Sequence, residues 1–160
     1  MISCAGSPAG RDISPRILRA FHATEYCVSG VTIRIGQRCR AMDRLLSSLG
    51  AGSGAFLTAW NPGARRHPVQ QNLRSDRAMQ GWLRRIAALP GIGVASGWHE
   101  EHWLLATDPR RAAALGRRFR QAAVVVVRRG QRARLCFLAT RQGYPLARTP
   151  RSMPRPARST

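Results

Sequence analysis

The chain has 160 residues, 44% of them hydrophobic and 21% charged, which is enough for one domain with its own core and no need of a metal or disulfide. Its charge is lopsided: 27 basic residues against 7 acidic ones give a formal +20 and a pI near 12.0, and every basic residue is arginine. The longest strongly apolar run, 122–127, falls far short of the ~20 residues that a membrane helix needs, so no membrane partner is expected.

Residues 1–12 are small and polar and read as a disordered extension; without a long apolar stretch they argue against a signal peptide. Ser14-Pro15 starts a helix, since serine caps and proline suits the first turn, and the helix is expected to end by 22–24. The alternation over 26–35 predicts a hairpin turning at Ser29-Gly30, with Tyr26, Val28, Val31, Ile33 and Ile35 inward. A helix over 38–49 presents Met42, Leu45, Leu46 and Leu49, and Gly50 stops it.

Phe56–Trp60 reads as a buried strand that Asn61-Pro62 terminates, because proline has no amide donor. The loop that follows leads into a helix from about Asn72 to Leu89, with Met79, Trp82, Leu83, Ile86 and Leu89 on its apolar face and Pro90-Gly91 at its end. Residues 92–95 and 103–107 are expected as strands, joined by Gly97–His102. Asp108-Pro109 caps another helix carrying Ala112, Leu115 and Phe119. The run 122–127 lacks alternation, as a strand covered on both faces does, and Gly130 turns it into an antiparallel neighbour over 133–139. Residues 141–160, with four prolines and five arginines, read as a disordered tail.

The expected fold is α/β on the border of α+β: one domain over 13–140 with a single mixed β-sheet, helices packed on it, and the order α-ββ-α-β-α-ββ-α-ββ. Cys4, Cys27, Cys39 and Cys136 form no CxxC pair and show no metal spacing, which reads as reduced thiols of a cytoplasmic protein. The arginine excess has two readings. One is a nucleic-acid partner, because guanidinium groups fork onto phosphates. The other is a solvated face reflecting codon usage, favoured by the absence of lysine and by the spread of charge over nearly every segment.

A spaced set of motifs, FLTAWNP (56–62), Asn72, Trp98-His99-Glu100 and ALGRRFRQAAVVVV (114–127), with TEY (24–26) and IRIGQ (33–37) before it, resembles the bacterial family known as domain of unknown function 3293. The resemblance covers roughly 21–138. It puts Thr58, Asn61, Pro62, Asn72, Glu100 and Gln121 on the family's motif positions and implies no established activity. The family usually has glycine before that glutamine and asparagine after it, where this chain has Arg120 and Ala122. An arginine beside a ligand loop would crowd it or add charge.

Thr58, Asn61, Asn72, Glu100 and Gln121 are thus the expected polar wall of a pocket after the 56–60 strand. Asn and Gln read hydrogen-bond patterns on a small polar or nucleotide-like ligand, and Glu100 is the candidate acid or base. Trp60 and Trp98 flank the pocket and suit stacking on a planar group. Each has a plain structural alternative. Asn61 is a turn residue before proline, Thr58 satisfies a strand neighbour, Gln121 caps a helix and Glu100 pairs with an arginine. His99-Glu100-Glu101-His102 lacks the HExxH spacing and reads as a solvated loop, so no metal or cofactor is expected. Two further classes stand beside the ligand-binding domain: an arginine-rich nucleic-acid-associated module without catalysis, and a structural or protein-interaction domain.

Overall fold

A computed structural model describes residues 14–138. The expected N-terminal extension (1–12), the expected tail (141–160) and Cys4 lie outside these residues. Four helices and seven strands follow in the expected order: α1 (Pro15–Ala23), β1 (Glu25–Val28), β2 (Val31–Ile33), α2 (Arg40–Ser48), β3 (Ser53–Leu57), α3 (Val69–Leu83), β4 (Ala87–Ala95), β5 (Trp98–Ala106), α4 (Pro109–Arg118), β6 (Ala123–Arg128) and β7 (Arg134–Phe137). Local signals explain many boundaries. The Ser14 hydroxyl accepts from the Ile17 amide at the start of α1, and Asp108 accepts from the Arg110 amide at the start of α4. Ser29 and Gly30 both have positive φ (47° and 76°), the conformation that a two-residue turn between twisted strands demands.

The strands form one sheet in the order β2-β1-β4-β5-β3-β6-β7. Every pairing in it is antiparallel rather than mixed. The connectivity accounts for this. Each of α2, α3 and α4 carries the chain to a strand that does not neighbour the one just left, so no parallel β-α-β pair arises. The architecture is therefore α+β. The two outer strands are also tied to each other. The Gly36 amide donates to the Ala133 carbonyl at 2.8 Å, and the Ala133 amide to the Gln37 carbonyl at 2.8 Å, which curls the sheet toward closure.

Both faces of the sheet are covered. Leu57, Leu105 and Val124 pack with Met79 and Leu83 of α3 and Leu115 of α4. Tyr26, Ile33, Phe56, Leu104, Val125 and Val127 pack with Met42 and Leu46 of α2 on the other face. The run 123–127 feeds both clusters, as expected of a strand without alternation.

Several boundaries differ from expectation. β3 stops at Leu57, so Thr58–Trp60 belong to the loop. α3 begins at Val69 and ends at Leu83, and residues from Ala87 form β4 instead of its last turn. Nine registered pairs between β4 and β5, from Ala87↔Ala106 to Ala95↔Trp98, outweigh the local helical period. Pro90 lies inside β4, one residue beyond the last position paired with β1, where the missing amide is tolerated. The same ladder turns Trp98–His102 into strand, and the connection shrinks to Ser96-Gly97. Trp82 is 51% exposed rather than core, with the Arg118 guanidinium 4.0 Å from its ring centre. Among the described residues no helix is long and apolar enough to cross a membrane.

Candidate functional site

A cavity of about 730 Å³ opens on the sheet face that α2 shares, walled by α1, the 58–68 loop, the first turn of α3, β5 and the turn before β6. Thr58, Trp60, Asn61, Asn72, Trp98, Glu100 and Gln121, up to 63 positions apart, all line it. Sequence separation that long is bridged by two features: the abrupt end of β3 and the strand period of β5. Along β5, Trp98, Glu100, His102 and Leu104 alternate onto one face, while His99 and Glu101 are exposed.

The loop is held in an unusual path. Asn61 has left-handed backbone angles (φ 50°, ψ 52°), which asparagine tolerates better than most residues. Its amide donates to Asn72 Oδ1 at 2.9 Å, and its Oδ1 accepts from the His67 amide at 2.9 Å and from Asn72 Nδ2 at 3.2 Å. Its Nδ2 donates to Glu100 Oε1. Asn72 is 2% exposed, so the pairing is that of a buried polar core. The Thr58 hydroxyl donates to the Glu101 carbonyl at 2.7 Å and accepts from the Trp60 amide at 2.9 Å. Gln121 Nε2 donates to the Trp60 carbonyl at 3.0 Å. Glu100 thus pairs with an asparagine and not with an arginine.

Electrostatically the inner wall differs from the mouth. Burial raises the Glu100 carboxyl above its ordinary range, and the Asn61 hydrogen bond partly opposes that. Burial pushes the His102 imidazole down to about 4, against a smaller opposing effect of its bond to the Glu100 carbonyl. Burial also raises the Tyr26 hydroxyl. Arg65 and Arg66, exposed on the loop, stand at the mouth.

The expectation about Arg120 takes a different form. Arg120 is exposed and is not part of the cavity wall; its backbone carries the departure, with φ at 55°. It is the left-handed residue that ends α4: its amide donates to the Arg117 carbonyl at 3.0 Å and the next amide, Gln121, to the Gly116 carbonyl at 2.9 Å. Its own carbonyl accepts from the Gly63 amide at 2.8 Å, joining this turn to the site loop. A glycine preference at this position follows from the backbone alone. Ala122, by contrast, does line the cavity and offers it only a methyl group.

Sequence reasoning passed over His102, Tyr26, Arg65, Arg66 and His67, which also line the cavity. The signal for His102 was present in the period of two from Trp98 onward, obscured by treating 97–102 as a loop. Cys27, Cys39 and Cys136 carry no disulfide. No group of three or more histidine, cysteine or acidic side chains suited to a metal occurs among the described residues.

Fold and site together define an α+β domain with a polar-walled cavity beside one hydrogen-bonded loop. A family model described as Protein of unknown function (DUF3293) matches residues 57–124 of the chain, from the last residue of β3 into β6, and this segment is similar to that family. That segment contains all seven residues expected at the site. No curated protein and no solved structure matches the chain.

Proposed function

We propose that this chain is a small-ligand-binding domain whose cavity takes a small polar or nucleotide-like molecule beside the 58–68 loop and the first turn of α3. One observation carries the reading: Thr58, Trp60, Asn61, Asn72, Trp98, Glu100 and Gln121 line the same cavity of about 730 Å³, a size typical of sites for small organic ligands. Trp60 and Trp98 supply flat apolar surface, and Glu100 is the group suited to proton transfer if bound ligand is turned over. The expected result is that at least one compound in a panel of nucleotides and metabolites raises the melting temperature of the wild type. Ala122→Trp, which fills the cavity, abolishes that shift. A panel that leaves the wild type unmoved overturns the reading.

A bracing role for part of the same set is favoured by its hydrogen bonds. Thr58, Asn61 and Asn72 spend their polar atoms mainly on the loop itself. Asn61→Ala is therefore expected to lower stability by roughly 1–3 kcal/mol, the cost of stranding buried partners, as read by denaturant unfolding. An unchanged midpoint would refute the bracing role.

A further inference from the structure

Three groups on the inner wall of the cavity have one polar atom each without a partner among the described residues, and the chemistry of their other atoms fixes what those free atoms are. Gln121 is 7% exposed, and its amide faces the carbonyls of Trp60 at 3.0 Å and Phe119 at 3.4 Å. Carbonyls only accept, so the nitrogen must lie there and Oε1 is the free atom. His102 is also 7% exposed, and its Nδ1 lies 3.0 Å from the Glu100 carbonyl. Nδ1 therefore carries the proton, and Nε2 is left as a lone-pair acceptor. Glu100 accepts from Asn61 through Oε1, leaving Oε2 free.

None of these free atoms is fully enclosed. The single fully enclosed side-chain nitrogen or oxygen without a partner among the described residues is Trp60 Nε1. Oε1 of Gln121, Nε2 of His102 and Oε2 of Glu100 are thus unpartnered but not sealed, and all three residues line the cavity. Room for the imidazole is itself built in: a Cβ at Gly93 would lie 2.7 Å from His102 Cε1. The ring also sits edge-on to Tyr26, with centres 5.6 Å apart. Burial keeps the imidazole uncharged at neutral pH, in agreement with an accepting Nε2. At the mouth, Arg65 and Arg66 form no ion pair among the described residues.

We propose that the cavity selects a ligand which enters hydrogen-bond donors first: an amino-substituted heterocycle whose two amino N–H groups are taken up among the acceptors Glu100 Oε2, His102 Nε2 and Gln121 Oε1, with a phosphate left outside against Arg65 and Arg66. This rests on the cavity being a ligand site and adds the identity of the ligand's inner face. Acceptors inside and cations at the mouth match an amino-bearing nucleotide. A nucleotide with a carbonyl in place of the amino group would set oxygen against oxygen.

The test compares AMP with IMP and CMP with UMP by titration calorimetry, at pH 8 to favour the ionised carboxyl. AMP or CMP is expected to bind about tenfold or more tighter than its carbonyl counterpart, the factor that one hydrogen bond to a charged group carries. In Glu100→Gln, Asn61 Nδ2 still requires an oxygen, so the amide nitrogen replaces Oε2 and the preference disappears or reverses. Melting of the variant is checked in parallel; if it does not fold, the wild-type pairs decide alone. Equal affinity within each pair, or a preference for IMP and UMP, overturns the inference while leaving the cavity as a ligand site. Failure of all four nucleotides alongside a hit in the wider panel does the same. Failure of every compound overturns both.

Discussion

His102 couples the cavity to acidity. Its folded pKa, about 4, lies below the ordinary 6.5, so between these values the unfolded chain takes up a proton that the folded one refuses. Stability is therefore expected to fall as pH drops from about 6.5 toward about 4, by up to roughly 3 kcal/mol from this group. Glu100 acts in the opposite sense. Its folded pKa is raised, so its contribution is present at low pH and is lost as pH rises through its titration. Denaturant midpoints measured across this window should show a net fall toward acid, and His102→Gln should flatten it; an unchanged slope in the variant would refute the assignment. Arg120 makes a different claim. A residue with a side chain in the left-handed region costs about 1–2 kcal/mol, and Arg120 has no cavity contact to offset it. Arg120→Gly should raise stability by about 1 kcal/mol in chemical denaturation and leave ligand affinity unchanged.

At the scale of elements, α3 shows where local pattern yields to tertiary pairing. Its expected stripe ran to Leu89, but the helix ends at Leu83 and the following residues join the nine-pair ladder with β5. Met79 is fully buried while Trp82, three residues on, is half exposed. Met79→Ala should cost about 2–5 kcal/mol, whereas Trp82→Ala should cost about 1 kcal/mol or less, mainly the contact with Arg118. Equal losses, measured by thermal unfolding, would mean that the helix face is misassigned. Legibility follows the same division. Ser14, Asp108 and Ser29-Gly30 announce their elements because caps and tight turns are local chemistry. The number and order of elements could be read for that reason. The antiparallel pairing and Pro90 inside a strand depend on residues tens of positions away, and no local pattern encodes them; the alternation from Trp98 to His102 is local, but only the pairing with β4 makes it a strand. Of the site, the residues in the FLTAWNP segment and at Asn72, Trp98, Glu100 and Gln121 were legible. The deeper wall contributed by Tyr26 and His102 was not.

For the molecule as a whole, charge and shape make separate statements. The formal +20 is carried entirely by arginine and spread along the chain, in keeping with a solvated exterior. A gel-shift at physiological salt is expected to show no discrete complex with RNA or DNA. A retained complex whose log affinity falls linearly and steeply with log salt would establish the nucleic-acid alternative instead. Shape is governed by the stitch between Gly36, Gln37 and Ala133. Open sheets commonly invite copies of themselves, since a bare outer strand is a template for another chain's backbone. Here the terminal strands are short, at three and four residues, and their neighbouring amides and carbonyls already bond across the gap. Fibril growth or strand exchange between molecules must therefore begin by prising this seam apart, which gives a crowded solution of the protein a barrier to self-templating that its surface repulsion alone does not supply.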